Sequence, residues 1–293
     1  MPQVLTARLR TVAPIWTGGV DRESGQARET GLAGSLRWWY EALVRGLGGY
    51  ACDPTADGDR CLFNEAAFRT TEDVEEGLYD VCPACRLFGC TGWKAKFNFY
   101  LANGRGRMPV TLDRPDIPFQ MRFALVKPLQ DEEQWLLART MQLIGDYGSM
   151  GGRTPLKPPN QPDYGLVQVV ENIPAPEIGR EEVVRWVEEL LTRSADMQRR
   201  QAAQPREIPH LDRFFFNNDQ WLDLRAINSL LKTDPTGFLA GRVGVSKKVF
   251  SFQTGNRFWG YAADRAMLDK VLQQLSVMGV RSTRRGEEVL HEL

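Results

Sequence analysis

GLAGSLRWWYEAL, residues Gly31–Leu43, is the stretch that decides the fold, because it predicts a helix with one apolar side. Extended a few residues, it places apolar side chains at a spacing of about 3.6 on one face, at Leu36, Trp39, Tyr40, Leu43 and Leu47. Trp38 and Arg45 fall on the opposite face, with Arg37 at its flank. We therefore expect a helix over Gly34–Leu47 that packs on a sheet.

Alternating apolar and polar residues predict the strands of that sheet. The alternation occurs at Val4–Thr11, Lys94–Leu101, Phe119–Val126 and Leu166–Val170. A second helix is predicted at Asp131–Ile144, where acidic residues in the first turn suit the positive end of the helix dipole. The resulting order, β-α-β-β-α-β, predicts an α+β, ferredoxin-like (RRM-like) fold with two helices on one face of four strands.

Two prolines, Pro174 and Pro176, indicate a domain boundary. We expect an N-terminal ferredoxin-like domain over 1–172 and a smaller α+β domain over 173–293, so that two such units stand in tandem. The second domain opens with a long predicted helix, Arg180–Arg200. The first domain carries a polar insertion over 48–92 that contains all five cysteines of the chain.

Charge and apolar content exclude several classes of protein. Lys plus Arg and Asp plus Glu both total 37, so the chain lacks the positive charge of a free-standing nucleic-acid binder. No apolar run is long enough to span a membrane, and the N-terminus has no signal core. We therefore expect a cytoplasmic protein with no membrane partner. An odd number of cysteines, five, favours thiols or a metal over a disulfide framework.

Four of the cysteines have the spacing of a metal site. Cys82 and Cys85 form a Cys-x-x-Cys pair, and Cys52 and Cys61 supply a second pair upstream. Four thiolates would close a tetrahedral structural zinc site and would order an insertion that has little apolar content of its own. Reduced cysteines in the core are the alternative. A redox pair is disfavoured because the motif does not open a helix after a strand in a thioredoxin-like setting.

Two glycine-containing regions indicate contact with the phosphates of a nucleic acid. A helix that starts at Gly34 would point free backbone N–H groups, the Ser35 hydroxyl and Arg37 at an anion. Trp38 would stack on a base or lie in a protein interface. Loops at 18–30 and 148–157 add further expected RNA-binding residues, namely Arg22, Arg28, Gly151, Gly152, Arg153 and Lys157. A plain capped helix and solvated surface loops are the alternatives.

Residues suited to catalysis are few. The chain has two histidines, of which His291 lies close to the end of the sequence. A ribonuclease that uses histidine as a general acid–base would therefore depend on His210 almost alone. No grouping of His, Asp and Glu suggests a catalytic metal. We expect a protein that is not an enzyme.

Taken together, these segments resemble the RAMP superfamily of CRISPR effector proteins, and within it the first subunits of the Cmr (type III-B) interference complex. The resemblance is carried by the first strand with its glycine loop, by GSLRWWYEAL, and by GGYACDPT, CPACRLFGCTGW and GSMGGRTPLK. It implies ferredoxin-like RNA-recognition folds in a ribonucleoprotein of antiviral defence. The implied partners are guide RNA near its 3′ end, target RNA, and the other subunits of a type III effector complex.

The resemblance also carries implications for individual residues. In related subunits a glycine–serine helix start with a nearby basic residue contacts guide phosphates, and Gly34, Ser35 and Arg37 match those positions. The glycine-rich loop of the family matches Gly148–Arg153. The resemblance implies a subunit that does not cut RNA, and the alternative is a RAMP-type endoribonuclease that processes guide precursors.

Overall fold

Two four-stranded antiparallel sheets and the helices packed on them form the chain, seen here in a computed structural model. The structure describes residues 3–17, 26–56, 58–103, 105, 110–151, 163–241 and 246–293. The strands are β1 (Val4–Thr11), β2 (Phe97–Asn103), β3 (Pro118–Leu125), β4 (Val167–Glu171), β5 (Phe214–Asn217), β6 (Val249–Phe252), β7 (Arg257–Tyr261) and β8 (Arg284–Arg285). The helices are α1 (Glu29–Gly46), α2 (Glu65–Thr71), α3 (Val74–Gly77), α4 (Pro83–Phe88), α5 (Asp131–Asp146), α6 (Arg180–Arg193), α7 (Ala195–Ala203), α8 (Leu224–Leu231), α9 (Arg265–Val277) and α10 (Gly286–Glu292).

The first sheet confirms the predicted ferredoxin-like arrangement. Its strands lie in the order β2-β3-β1-β4, with α1 between β1 and β2 and α5 between β3 and β4. In the central pair, Ala7 lies opposite Met121 and Leu9 opposite Phe119, and all four side chains are buried. The alternation read from the sequence therefore corresponds to one face that is covered by α1 and α5.

The second sheet repeats the same topology with shorter strands. Its order is β6-β7-β5-β8, with α8 between β5 and β6 and α9 between β7 and β8. The tandem α+β architecture predicted from the sequence is thus confirmed. The expected division at residues 172 and 173 stays a prediction.

The second sheet is apolar on both faces. Phe215 and Phe258 point towards a core shared with α8 and α9. Phe214, Trp259 and Tyr261 point the other way and join the core of the first unit. Helix α1, which supplies Trp38 and Trp39 to this contact, therefore lies between the two sheets.

Burial of the second half of α1 explains why the predicted polar face of this helix is not solvated. The expected polar face carries Arg45, which is only 4 % exposed, and Trp38, which is half-buried. From Trp39 to Arg45 every residue of α1 is buried, so this part of the helix has no solvated face. The polar groups on that side are satisfied by protein instead of water.

Two helix boundaries differ from the prediction. The single helix expected over Arg180–Arg200 is broken at Ser194, whose Oγ accepts a hydrogen bond from Met197 N and caps α7. Helix α1 begins at Glu29 and not at Gly34. Within the described residues, no helix combines the length and apolar character needed to cross a membrane.

Candidate functional site

The four cysteines predicted as metal ligands lie together in a buried cluster. The sulfur atoms of Cys52, Cys61, Cys82 and Cys85 all lie within 4.8 Å of one another. Each residue is at most 1 % exposed. This part of the prediction is confirmed: four buried cysteines are placed where they could hold a metal ion.

The sulfur spacing fits a tetrahedral ion better than disulfides. Sγ of Cys52 and Sγ of Cys85 lie 3.4 Å apart, and the cysteines are free. A disulfide requires about 2.05 Å. Four sulfurs at about 2.3 Å from a zinc ion would stand about 3.8 Å apart. The cluster needs only a small adjustment to reach that geometry.

Two short loops and one helix start bring the sulfurs together. Cys82 is the N-cap residue of α4, and Pro83 occupies the first helical position, where a missing N–H has no cost. Cys85 follows in the first turn of the same helix. The N–H of Cys82 donates to Sγ of Cys61 at 3.4 Å, which joins the two cysteine pairs.

The thiol pKa values show how strongly the sulfurs interact. Burial opposes ionisation of Cys82, but hydrogen bonds from Cys52, Cys61 and Cys85 outweigh it and hold its pKa well below the usual value. Hydrogen bonds to Cys61 and Cys82, together with burial, raise the pKa of Cys52. The ionisation of all four thiols requires a cation among them.

Arg45 holds the backbone on which Cys52 is carried. Its Nε and Nη2 donate to the carbonyl oxygens of Ala51 and Cys52, both at 2.9 Å. Its Nη1 donates to the carbonyl of Pro209 at 3.2 Å. A planar guanidinium can serve several carbonyls at once, which a lysine cannot. The residue was read from the sequence only as part of a polar face.

Arg37 faces the cysteine cluster. Its Nη2 lies 3.1 Å from Sγ of Cys85, its Nη1 donates to the carbonyl of Gly89 at 3.1 Å, and its Nε donates to Oε1 of Glu41 at 2.7 Å. Burial opposes the charge on this side chain, but Cys85 and Glu41 more than compensate and raise the Arg37 pKa. These contacts use three of the five N–H groups of the guanidinium, and Arg37 stays a predicted RNA contact.

The first turn of α1 differs from the predicted phosphate-facing start. The helix begins at Glu29, so its free backbone N–H groups lie before Gly34 and not on it. One of them, the N–H of Arg28, donates to Oγ1 of Thr17 at 2.8 Å. Gly31 permits this approach, because a Cβ there would lie 3.2 Å from Thr17. The predicted helix start at Gly34 is therefore wrong by five residues.

Ser35 and the glycine-rich loop do meet. The N–H of Gly151 donates to Oγ of Ser35 at 3.3 Å, which leaves the serine hydroxyl hydrogen available to an acceptor. Gly34 is exposed, and nothing lies within 4 Å of where its Cβ would be. Arg28 is exposed at the same end of the helix. Gly34, Ser35, Arg28 and Gly151 stay predicted RNA contacts.

Trp38 is packed against protein. Its ring lies 5.9 Å from Phe214, 6.1 Å from Trp259 and 5.9 Å from Tyr261, measured between centroids. Trp38, which was predicted to need a base or another protein as its partner, packs instead on aromatic rings of the second sheet. Its predicted role in RNA binding is not tested by this packing. Arg22, Gly152, Arg153 and Lys157 lie outside the described residues.

His210, the one candidate general acid–base, is mostly buried. Burial, with the nearby charges of Arg213 and Arg45, lowers its pKa to about 3. It therefore stays neutral at physiological pH.

Sequence reasoning missed a second arginine at the cysteine cluster. Nη1 of Arg200, in α7, lies 3.5 Å from Sγ of Cys61. No sequence signal could have found it, because it is separated from the cysteines by most of the first unit and occurs in an ordinary polar helix.

Comparison with known families covers the first ferredoxin-like unit and helix α6. A model of the RAMP superfamily matches residues 8–193, which is more than half of the chain. The chain belongs to the RAMP superfamily. None of the curated proteins matches the sequence of this RAMP protein.

Two solved structures are similar to this RAMP protein at low identity. One is a cryo-EM structure of the type III-B Cmr-beta bound to cognate target RNA and AMPPnP in the presence of ssDNA, with 9 % identity, a TM-score of 0.48, and coverage of 95 % of this chain and 100 % of the other. The second is the type III-B Cmr-beta bound to cognate target RNA, with 9 % identity, a TM-score of 0.37, and coverage of 71 % and 62 %.

Proposed function

We propose that this RAMP protein is a non-catalytic, RNA-binding structural subunit of a type III-B CRISPR effector complex. In that role it positions guide RNA, target RNA or both near the 3′ end of the guide. Its other partners are the remaining subunits of the complex. Family membership supports the general role, and the motifs of α1 and of the glycine-rich loop support the type III-B assignment.

One observation carries the RNA-binding proposal: the contact between Ser35 and Gly151. It brings together two segments that were singled out separately from the sequence, beside the exposed Gly34. A glycine with open space above it lets a phosphate approach the helix closely, and a serine hydroxyl can donate to that phosphate. Such contacts hold a backbone without reading its sequence, so specificity comes from guide–target pairing.

The first test places a negative charge at this contact. Gly34→Glu is expected to weaken binding of single-stranded RNA and to make the dependence on salt shallower, because fewer phosphates are neutralised. A Glu side chain fits the open space, so the fold should persist. Binding is measured by fluorescence anisotropy at several salt concentrations, with the reconstituted complex as well as the chain alone.

Gln273→Glu is the matched control, because it adds the same charge at an exposed position of α9 in the second unit. It should leave RNA binding unchanged. Equal binding by wild type and Gly34→Glu in the reconstituted complex would show that this end of α1 does not contact RNA.

The absence of catalysis is part of the proposal. A neutral, mostly buried His210 is poorly suited to donate a proton to a leaving group at physiological pH. Wild type and His210→Ala should both leave a labelled guide precursor uncut over hours. Cleavage by wild type that is lost in His210→Ala would instead establish the processing endoribonuclease.

We also propose that the cysteine cluster holds one structural Zn²⁺. A closed, buried set of four sulfurs with no open position suits a structural ion and not a catalytic one. The insertion around it is built from short helices and loops, which a metal would order.

Elemental analysis of purified protein tests this directly. Wild type is expected to carry about one zinc per chain. Cys82→Ser combined with Cys85→Ser should lose it and should unfold at a lower temperature. Cys90→Ser, which changes a half-buried cysteine outside the cluster, should keep the metal. A metal-free wild type of unchanged stability would rule the site out.

A further inference from the structure

Two arginines from distant parts of the chain point at the sulfur cluster from different elements. Arg37, in α1, places Nη2 3.1 Å from Sγ of Cys85. Arg200, in α7, places Nη1 3.5 Å from Sγ of Cys61. Their guanidinium groups are largely buried, with side-chain exposures of 19 % and 10 %. Each therefore gives up water to stand beside sulfur.

The charge of a loaded site explains this placement. Four thiolates around a divalent cation carry a net charge of about −2, which is costly to bury without compensation. Two guanidinium groups place positive charge beside the sulfurs and donate N–H groups to them, while each also pairs with a carboxylate, that of Glu41 or Asp196.

Arg200 is fixed by other contacts to the insertion. Its Nη2 donates to the carbonyl of Asp80 at 2.6 Å, and its guanidinium lies 5.2 Å from the centre of the Tyr50 ring. Next to it, Nε2 of Gln204 donates to the carbonyl of Ala51 at 2.9 Å. Helix α7 thus lies on the cysteine insertion along its length.

Helix α7 also precedes the second ferredoxin-like unit in the chain. Residues 205–213 lead from its end directly into β5. Arg37, by contrast, belongs to the central helix of the first unit. The sulfur cluster therefore accepts hydrogen bonds from the first unit and from the helix that leads into the second unit.

We propose that the metal of this cluster acts as a clamp, which fastens α7 to the first unit through hydrogen bonds from Arg37 and Arg200 to its thiolates. The clamp rests on the proposed metal site and goes beyond the ordering of a loop. Metal affinity then depends on a residue far from every ligand in sequence. Reciprocally, metal binding stabilises the packing of α7 against the first unit.

The test is a zinc competition titration against a chromophoric chelator at fixed pH. Arg37→Gln and Arg200→Gln should each weaken zinc affinity about 10- to 100-fold, the range found when groups that hydrogen-bond to metal ligands are removed. Arg199→Gln is the matched control: it neighbours Arg200 in α7 and shares Asp196 with it as an ion-pair partner, but its side chain is 78 % exposed. Its zinc affinity should equal that of wild type.

A second measurement needs no variant. Hydrogen exchange on the full-length protein, with and without chelator, should show faster exchange over Ala195–Ala203 when zinc is removed. Wild-type zinc affinity in both Gln variants, or unchanged exchange in α7, overturns the clamp while the metal site stands. If wild type binds no zinc, the metal site and the clamp both fail, and the RNA-binding test is unaffected.

Discussion

The region between α1 and the second unit contains two titratable side chains that are largely withdrawn from solvent, Arg45 and His210. Arg45 is nearly inaccessible and serves the carbonyls of Ala51, Cys52 and Pro209. His210 follows Pro209 and is held neutral by its burial and by that neighbouring positive charge. A side chain that stays uncharged in the folded state and takes up a proton in the unfolded state makes stability depend on pH.

The sign of that dependence follows from the two pKa values. The unfolded chain binds a proton at His210 near pH 6.5, whereas the folded chain does not bind it until about pH 3. The contribution of His210 to the free energy of unfolding is therefore fully present above pH 6.5 and is lost as the pH falls towards 3. At pH 5 the loss amounts to about 1–2 kcal/mol.

His210→Gln should accordingly lose less stability than wild type between pH 7 and pH 5, as measured by urea unfolding at each pH. His291→Gln, which replaces an exposed histidine, should keep the wild-type profile. Identical pH profiles for wild type and His210→Gln would contradict the assigned burial of this side chain.

At the scale of elements, periodicity predicted the sheet strands and the central helices of the first unit correctly. Strands β1 to β4 alternate because one face meets α1 and α5, and that alternation is visible in the sequence. The grouping of the four cysteines was also predictable, since the Cys-x-x-Cys spacing fixes a local geometry.

Features that depend on tertiary contact could not be read in the same way. Helix α1 begins at Glu29 and not at Gly34, and its first turn lies against Thr17, a contact that no local pattern predicts. The polar appearance of Arg37 and Arg45 suggested solvent, yet they face the cysteine cluster and its loop. The break at Ser194 is set by a cap within a continuous helical pattern.

At the scale of the whole molecule, an aromatic contact joins the two units. Trp38 and Trp39 of α1 pack on Phe214 and Trp259 of the second sheet, and the ring centroids of Trp39 and Trp259 lie 4.9 Å apart. Aromatic rings bury large areas and prefer tilted or offset pairs of this kind. The contact makes the cores of the two units interdependent.

Trp38→Ala tests that dependence. Removing a half-buried indole that touches three rings of the other unit should lower the free energy of unfolding by about 2–4 kcal/mol, measured by urea denaturation with circular dichroism. Trp221→Ala, at a tryptophan that is 39 % exposed, should cost much less. Equal losses in the two variants would show that Trp38 does not join the units.

The enclosed position of α1 has a consequence for biosynthesis. The ribosome releases α1 and its sheet well before β5 to β7, so the side of the helix that carries Trp38 has no cover while the rest is translated. The nascent first unit would expose tryptophan until Phe214, Trp259 and Tyr261 emerge. Slow translation or a premature stop after residue 193 should therefore yield an aggregation-prone intermediate that recruits chaperones. The completed chain should not bind chaperones in this way.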